Sequence, residues 1–379
     1  MAKFDDRRTA YRIAEIGQTL RWSWDHLNAF ELDVLVRAGQ ATIAAGSPGA
    51  ANALFALLAL STGMRVTTLA RIQIASGDSA VEHFEPSGVW VKPVRRPPQA
   101  WTPESQQRAL LVESASQIRF RLPELVASSL AKATTLRPAA KSIGELVGCS
   151  ADTAVEFLST WLEPLRRSYP NARLTHGRIS AALAVEVSAV AQDEAIIHYV
   201  TGSDEDVPPI AAYYAAIPIG TLHQAYSRAC RQLFGSGQQA LDAASTSKQF
   251  AGSQLLPKPE VLRSFVAGLR ERVKRASPRD LIEAHNGYCL YTLWMLMAAT
   301  GHRPVTDPAE SLDVIDLDAG WMVINDKQSH PGKAGRLVPL APMVTAQLRR
   351  YLEHLHSLIA ASQSFAPELA AKLESVLSP

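Results

Sequence analysis

Residues 291–340 constrain the fold of this chain more than any other part of its sequence. An apolar run of helical character ends in a Thr-Gly-His-Arg segment at 300–303, and a polar, aspartate-rich stretch follows it. Two short runs with β-strand character come next, at 321–325 and 336–340, with Lys327 in the polar turn between them. The sequence therefore predicts a helix, an arginine just after its end, and a β-hairpin with a lysine near its tip.

The same order of features occurs earlier in the chain. A Thr-Gly-Met-Arg segment at 62–65 also follows an apolar run, and it matches the segment at 300–303. Downstream, the strand-like residues 88–92 match 320–324, and residues 119–126 match a strand and helix start near 338–344. Self-similarity on this scale indicates two copies of one domain type, the second of them incomplete.

This order of motifs resembles the catalytic domain of the tyrosine recombinases, or phage integrases. In that family a Thr-Gly-x-Arg segment carries the first catalytic arginine, and a hairpin after an acidic stretch carries a lysine. The resemblance assigns these roles to Arg303 and Lys327 in the second copy. In the first copy it assigns the arginine to Arg65, and it leaves the hairpin cation open between Arg95 and Lys92.

The family then places a His-x-x-Arg motif at a helix start, a later His or Trp, and finally a nucleophilic tyrosine. The first copy offers the following matches: His176 and Arg178, then His198, then Tyr213 or Tyr214. The first two are two residues apart rather than three, which turns their side chains about 200° apart on a helix. The resemblance therefore implies a degenerate first copy.

The chemistry of the family explains these residue types. A tyrosine hydroxyl attacks a DNA phosphodiester and forms a 3′-phosphotyrosine link, without a metal or cofactor. Arginines stabilise the charge on the phosphate oxygens because a guanidinium stays charged and binds two oxygens at once. The lysine protonates the leaving 5′-oxygen. By the spacing of the first copy, the second arginine and the tyrosine of the second copy would fall beyond these 379 residues. We therefore expect Arg303 and Lys327 to be completed either by residues of a longer chain or by residues of another subunit in an assembly.

Each assigned residue also has an ordinary structural interpretation. Polar residues near helix ends commonly cap backbone groups or form internal salt bridges, and this applies to Arg303, Arg65, His176 and Arg178. A lysine on a turn is commonly a solvated charge, and this applies to Lys327. Side chains with apolar neighbours commonly pack in a core or at its rim, and this applies to His198, Tyr213 and Tyr214.

Composition excludes few classes of protein. Hydrophobic residues make up 47% and charged residues 20%, as in ordinary globular proteins. The net charge of +2 is weaker than that of a dedicated nucleic-acid binder. No apolar run is long enough to span a bilayer, the N-terminus lacks a signal-peptide core, and three scattered cysteines indicate reduced thiols. We therefore expect a cytoplasmic protein without a membrane partner.

His354 and His356 point apart on a predicted helix, so we expect no metal site there.

We predict a mainly α protein of α+β class with small antiparallel hairpins. Its expected parts are an N-terminal helical segment (1–50), a degenerate recombinase-like domain (51–220), a connector (221–258) and the N-terminal half of a second such domain (259–379). The expected function is DNA binding and site-specific recombination or integration of a mobile element, with double-stranded DNA and other recombinase subunits as partners. Two alternatives stay open: a non-catalytic DNA-binding or regulatory protein with the same fold, and a helical scaffold without a nucleic-acid role.

Overall fold

The computed structural model of the chain describes residues 23–77, 81–94, 102–202, 215–235, 249–275, 280–301, 312–324 and 336–377. Within these ranges it contains 14 α-helices and nine short β-strands, which confirms the predicted mainly helical, α+β class. No described helix is both long enough and apolar enough to cross a lipid bilayer. The chain divides into two compact units, Met1–Pro257 and Lys258–Pro379.

The first unit surrounds two small sheets with helices. Its described helices are α1 (Ala29–Ala44), α2 (Ala50–Thr62), α3 (Val66–Arg71), α4 (Ser105–Arg108), α5 (Glu124–Leu136), α6 (Ile143–Val147), α7 (Ala154–Ser168), α8 (His176–Ala191), α9 (Glu194–Val200) and α10 (Ile219–Phe234). Its described strands are β1 (Gln73–Ile74), β2 (His83–Glu85), β3 (Val89–Pro93), β4 (Gln117–Arg121), β5 (Ala216–Pro218) and β6 (Phe250–Gly252). Strands β1 to β4 form one sheet in chain order, in which only β1 and β2 are parallel, and β5 pairs with β6.

Helix α2 lies at the centre of the first unit's core. Its sequence is almost entirely apolar, and each of the ten residues from Ala53 to Thr62 is at most 3% exposed. A helix that is apolar on all sides must be covered on all sides, and α1, α7 and α8 pack against it. The helix ends at Gly63, whose φ of 68° lies in the left-handed region that glycine adopts without steric cost.

The second unit repeats part of this arrangement around a smaller core. Its described helices are α11 (Pro259–Arg275), α12 (Leu281–Thr300), α13 (Pro342–Ser362) and α14 (Pro367–Leu377). Its described strands are β7 (Ile315–Asp316), β8 (Trp321–Ile324) and β9 (Arg336–Pro339), and they form an antiparallel sheet in chain order. Helix α12 packs against α11 and α13, and α13 packs against α14.

The apolar helices of the two units end in the same way. Thr62 and Thr300 each donate a hydroxyl hydrogen bond to the carbonyl four residues earlier, both at 2.8 Å. A glycine follows in the left-handed region, Gly63 at φ 68° and Gly301 at φ 63°. The Thr-Gly pair found in the sequence therefore marks one helix-ending geometry that occurs twice.

The sheets of the two units also correspond. The turn before the central strand ends at Gly88 (φ 81°) in the first unit and at Gly320 (φ 70°) in the second. The N–H of Leu122 donates to the carbonyl of Gly88 at 3.0 Å, and the N–H of Leu340 donates to the carbonyl of Gly320 at 2.8 Å. Helix α5 begins two residues after Leu122, and helix α13 begins two residues after Leu340. These shared hydrogen bonds define which residues of the first unit correspond to which residues of the second.

This alignment pairs the core residues of the second unit with buried residues of the first. The pairs are Leu296 with Leu58, Met322 with Trp90, Ile324 with Lys92, Leu340 with Leu122, Val344 with Val126, and Leu348 with Leu130. All of them are buried, and Lys92 is the one charged residue among them. The first unit therefore places an ammonium group where the second places an isoleucine.

Candidate functional site

Of the segments that the sequence assigned to one site in the first unit, those that the structure describes lie close to one another. The Thr-Gly-Met-Arg segment after α2 contacts both α8 and the end of α9. Ser180 Oγ of α8 donates to the carbonyl of Met64 at 2.7 Å, and the N–H of Gly202 donates to the carbonyl of Thr62 at 2.7 Å. Strand β3 joins this cluster through Lys92. Residues far apart in the sequence thus form a single neighbourhood.

The ammonium group of Lys92 is held inside this neighbourhood. Its side chain is buried, and the whole residue is 7% exposed. Nζ donates to the carbonyl of His198 at 2.7 Å and to the carbonyl of Thr201. Both carbonyls lie at the C-terminal end of α9, where helices leave acceptors without an intrahelical partner. Lys92 therefore fastens the end of α9 to β3, and two of its hydrogen-bond donors are directed at protein acceptors.

The guanidinium of Arg178 is bound by a buried carboxylate. Nη1 and Nη2 lie 2.9 and 2.8 Å from the two carboxylate oxygens of Glu31, which is completely buried. The same guanidinium also donates to the carbonyls of Arg173 and His26. This two-pronged pairing joins α1 to the start of α8. A phosphate could reach Arg178 only by displacing Glu31.

Glu31 accepts further bonds that fix its charge. Its carboxylate accepts from the N–H of Asn28 at 2.9 Å, as part of the capping box that begins α1, and from the N–H of Arg173 at 2.8 Å. Burial raises the pKa of this carboxyl, but the bonds from Arg178, Asn28 and Arg173 outweigh it and hold the pKa below its usual value of 4.5. The residue is therefore an ionised anchor for Arg178.

The remaining assigned residues of the first unit surround this neighbourhood without completing it. Arg65 is exposed at the position before α3, and His176 is half-buried in the first turn of α8. His198 is buried, with its ring 5.4 Å from that of Tyr199. The other assigned residues, with Arg95, lie outside the described residues: Arg303, Lys327, Tyr213 and Tyr214. Only part of the predicted constellation can thus be placed.

A second set of cations lies on α11 in the second unit. Five basic and two acidic residues occur in its 17 residues, and all five basic side chains are exposed. Arg263, Arg270 and Lys274 are spaced by seven and four residues, so they share one side of the helix. The apolar side, with Leu269 buried and Phe265 at 5.3 Å from the ring of Trp294, faces α12. The basic stripe therefore projects away from the unit.

His354 of α13 packs against His285 of α12. The ring of His354 stacks at 5.5 Å on the ring of His285, with Nδ1 of His285 at 3.3 Å from Nε2 of His354. Burial lowers the pKa of both rings, so each favours the neutral form. His356 is exposed. Over the described part of the chain, no three His, Cys, Asp or Glu side chains are placed to hold a metal ion.

Two structural partners were not singled out from the sequence. Glu31 gave only the weak signal of an Asn-x-x-Glu capping box, and its partner Arg178 lies 147 residues away. Lys92 was considered only as a hairpin cation.

Comparisons with models of protein families, with curated proteins and with solved structures found no match to this chain.

Proposed function

We propose that this protein binds duplex DNA as a tyrosine-recombinase-like protein and takes part in site-specific recombination or integration. The observation that carries the proposal is the convergence in the first unit. The Thr-Gly-Met-Arg segment, Lys92, the helix of His176 and Arg178, and the helix of His198 meet in one place. The resemblance assigns these segments to one site, so their proximity supports the proposal.

The recurrence between the units supports the same proposal. An apolar helix, a left-handed glycine, a three-stranded antiparallel arrangement and a proline-containing helix start occur twice with matching hydrogen bonds. We infer that the chain contains two versions of one recombinase-like domain. In the second, Arg303 and Lys327 keep the phosphate-facing roles that the resemblance gives them.

The geometry favours a non-catalytic role for the first unit. Phosphoryl transfer at a tyrosine recombinase site needs cations whose donors can turn to the phosphate. Here Arg178 is paired with Glu31 in the protein interior, and Lys92 is bonded to two carbonyls. Both cations therefore stabilise the fold. The first unit then contributes DNA binding or contacts with other recombinase subunits.

The basic stripe of α11 supplies a surface for the DNA backbone. Arg263, Arg270 and Lys274 are exposed on one side of a helix whose opposite side is packed. Lys274 has an exposed partner in Glu271 at 3.2 Å, which is a weak interaction that a phosphate can replace. Three aligned cations suit contact with successive phosphates, which supplies affinity without sequence preference.

A nicked suicide duplex tests the catalytic part of the proposal. Such a substrate loses its short leaving strand after cleavage, so a covalent protein–DNA adduct accumulates when a tyrosine attacks. We expect salt-sensitive binding of the duplex and no adduct at Tyr213 or Tyr214. An adduct that disappears in Tyr213→Phe or Tyr214→Phe, with Tyr169→Phe as the control, would show that the first unit is catalytic after all.

A further inference from the structure

The second unit contains a cavity between α12, α13, α14 and the sheet formed by β7, β8 and β9. Its volume is about 570 Å³, and every residue that lines it belongs to the described part of the chain. Cavities that bind small molecules commonly have volumes of roughly 300–1,000 Å³. The space is therefore large enough for a small organic molecule, and its wall is built by four elements of one unit.

The wall of this cavity is mainly apolar. Leucine side chains supply most of it, among them Leu293 of α12, Leu352 of α13 and Leu373 of α14. None of the described residues that line it is Asp, Glu, Lys or Arg. Water in such a space finds few hydrogen-bond partners, and an empty space loses the dispersion contacts of packed side chains. An apolar guest avoids both losses.

The hydrogen-bonding groups of the wall gather at one end of the cavity. His285 and Cys289 are four residues apart, so they lie on the same side of α12. Tyr351 of α13 faces them, with its ring stacked at 6.3 Å on that of His285 and its hydroxyl hydrogen-bonded to the thiol of Cys289. Thr292, the fourth polar residue of the wall, accepts a hydrogen bond from Gln347 at 2.9 Å. A few convergent polar groups in an apolar wall are typical of ligand sites.

The two ring side chains at this polar end are uncharged near neutral pH. Burial lowers the pKa of His285, whose Nδ1 lies 3.3 Å from Nε2 of His354. Burial, together with the Cys289 thiol, raises the pKa of the Tyr351 phenol above its usual value of 10. A charged guest would lose its hydration here without meeting an opposite charge on the wall. The chemistry of the wall therefore favours a neutral guest.

We propose that this cavity is a binding site for an uncharged, mostly apolar small molecule with one hydrogen-bonding group. The apolar part of the molecule packs among the leucines of α12, α13 and α14. Its hydrogen-bonding group lies at the end formed by His285, Cys289 and Tyr351. The proposal concerns the second unit alone and holds whether or not the protein acts on DNA.

The test uses the full chain and 1-aminoanthracene, an uncharged aromatic amine whose fluorescence rises in apolar surroundings. We expect saturable binding of one molecule per chain. Unlabelled 1-octanol should displace this probe. Octanoate has the same number of carbon atoms but carries a carboxylate at neutral pH, so we expect it to displace the probe at least tenfold less effectively.

A variant with a filled cavity locates the site. Leu293→Trp/Leu352→Trp adds bulk to two walls at half-buried positions. We expect the affinity for 1-aminoanthracene to fall at least tenfold, or by about 1.4 kcal/mol. Leu290→Trp/Met343→Trp makes the same change at exposed positions of α12 and α13 that do not line the cavity. This matched control should bind the probe as the wild type does.

Three results would overturn the proposal: absence of saturable binding, equal affinity of the filled variant and its control, or equal displacement by octanoate and 1-octanol. Circular dichroism shows whether the filled variant folds. If it does not, hydrogen–deuterium exchange of the wild type decides. The probe should slow exchange in α12 and α13 and leave α2 unchanged, whereas protection outside the second unit would contradict the proposal.

Discussion

The buried pair of Arg178 and Glu31 gives the sharpest prediction for the first unit. In Arg178→Met the carboxylate of Glu31 stays buried but loses both of its guanidinium bonds, at 2.9 and 2.8 Å. Removing one partner of a buried ion pair costs about 3–5 kcal/mol, because the remaining charge is left uncompensated. We expect the free energy of unfolding of the first unit to fall by about that amount in urea titrations followed by circular dichroism.

A matched pair on the same helix provides the control. Arg37 and Asp33 are paired at 2.7 Å on α1, but both side chains are largely exposed. Arg37→Met is expected to cost about 0–1 kcal/mol. The double variant Arg178→Met/Glu31→Leu should recover only part of the loss, because it removes the uncompensated charge but leaves the N–H groups of Asn28 and Arg173 without their acceptor. If Arg178→Met cost no more than Arg37→Met, the guanidinium would not be a structural group, and a phosphate-binding role for Arg178 would regain support.

Three further predictions follow from the same contacts. The pKa of Glu31 is lower in the folded than in the unfolded protein, so its contribution to stability is present above the unfolded pKa and is lost as the pH falls through the folded pKa. The urea midpoint of the wild type should therefore fall more steeply than that of Glu31→Gln below about pH 4.5. Parallel curves for the two proteins would contradict this. Lys92→Met leaves two carbonyls without their ammonium donor and should cost about 1–3 kcal/mol, whereas Lys132→Met, at an exposed position of α5, should be nearly neutral in the same titration. In Gly88→Ala a left-handed alanine would place its Cβ in overlap with Ala127, whereas in Gly320→Ala only the carbonyl of Leu340 is nearby, at 3.8 Å. We expect Gly320→Ala to lower the free energy of unfolding by about 1–2 kcal/mol of backbone strain, and Gly88→Ala to lower it further. Equal losses for the two variants would refute the packing argument.

Local pattern was enough to predict the elements that recur. The apolar run before Thr62-Gly63 and its repeat before Thr300-Gly301 predicted two helices with glycine-ended termini, and both are present. The helical spacing of the apolar residues and the following glycine predict where each helix ends, because a helix end depends on residues within one turn. The alternation of β3 also places Lys92 on the same face as Trp90, which is fully buried.

The partners of the buried cations could not be predicted from local pattern. Glu31 and Arg178 are 147 residues apart, and Lys92 meets carbonyls 106 and 109 residues away. Such pairs are set by the packing of α1, α8, α9 and β3, and no periodicity in the sequence encodes it. The predicted site roles of Arg303, Lys327, Tyr213 and Tyr214 stay predictions, because these residues lie outside the described ones.

Binding of labelled duplex DNA as a function of salt tests the central claim most directly. We expect the logarithm of the association constant to fall linearly with the logarithm of salt concentration between about 50 and 200 mM. The variant Arg263→Ala/Arg270→Ala/Lys274→Ala should make this slope shallower by about 0.9 for each lost phosphate contact. Removal of three exposed cations from the first unit, in Arg37→Ala/Lys132→Ala/Arg167→Ala, should leave the slope nearly unchanged. Absence of duplex binding at low salt, or equal slopes for the two triple variants, would contradict the account.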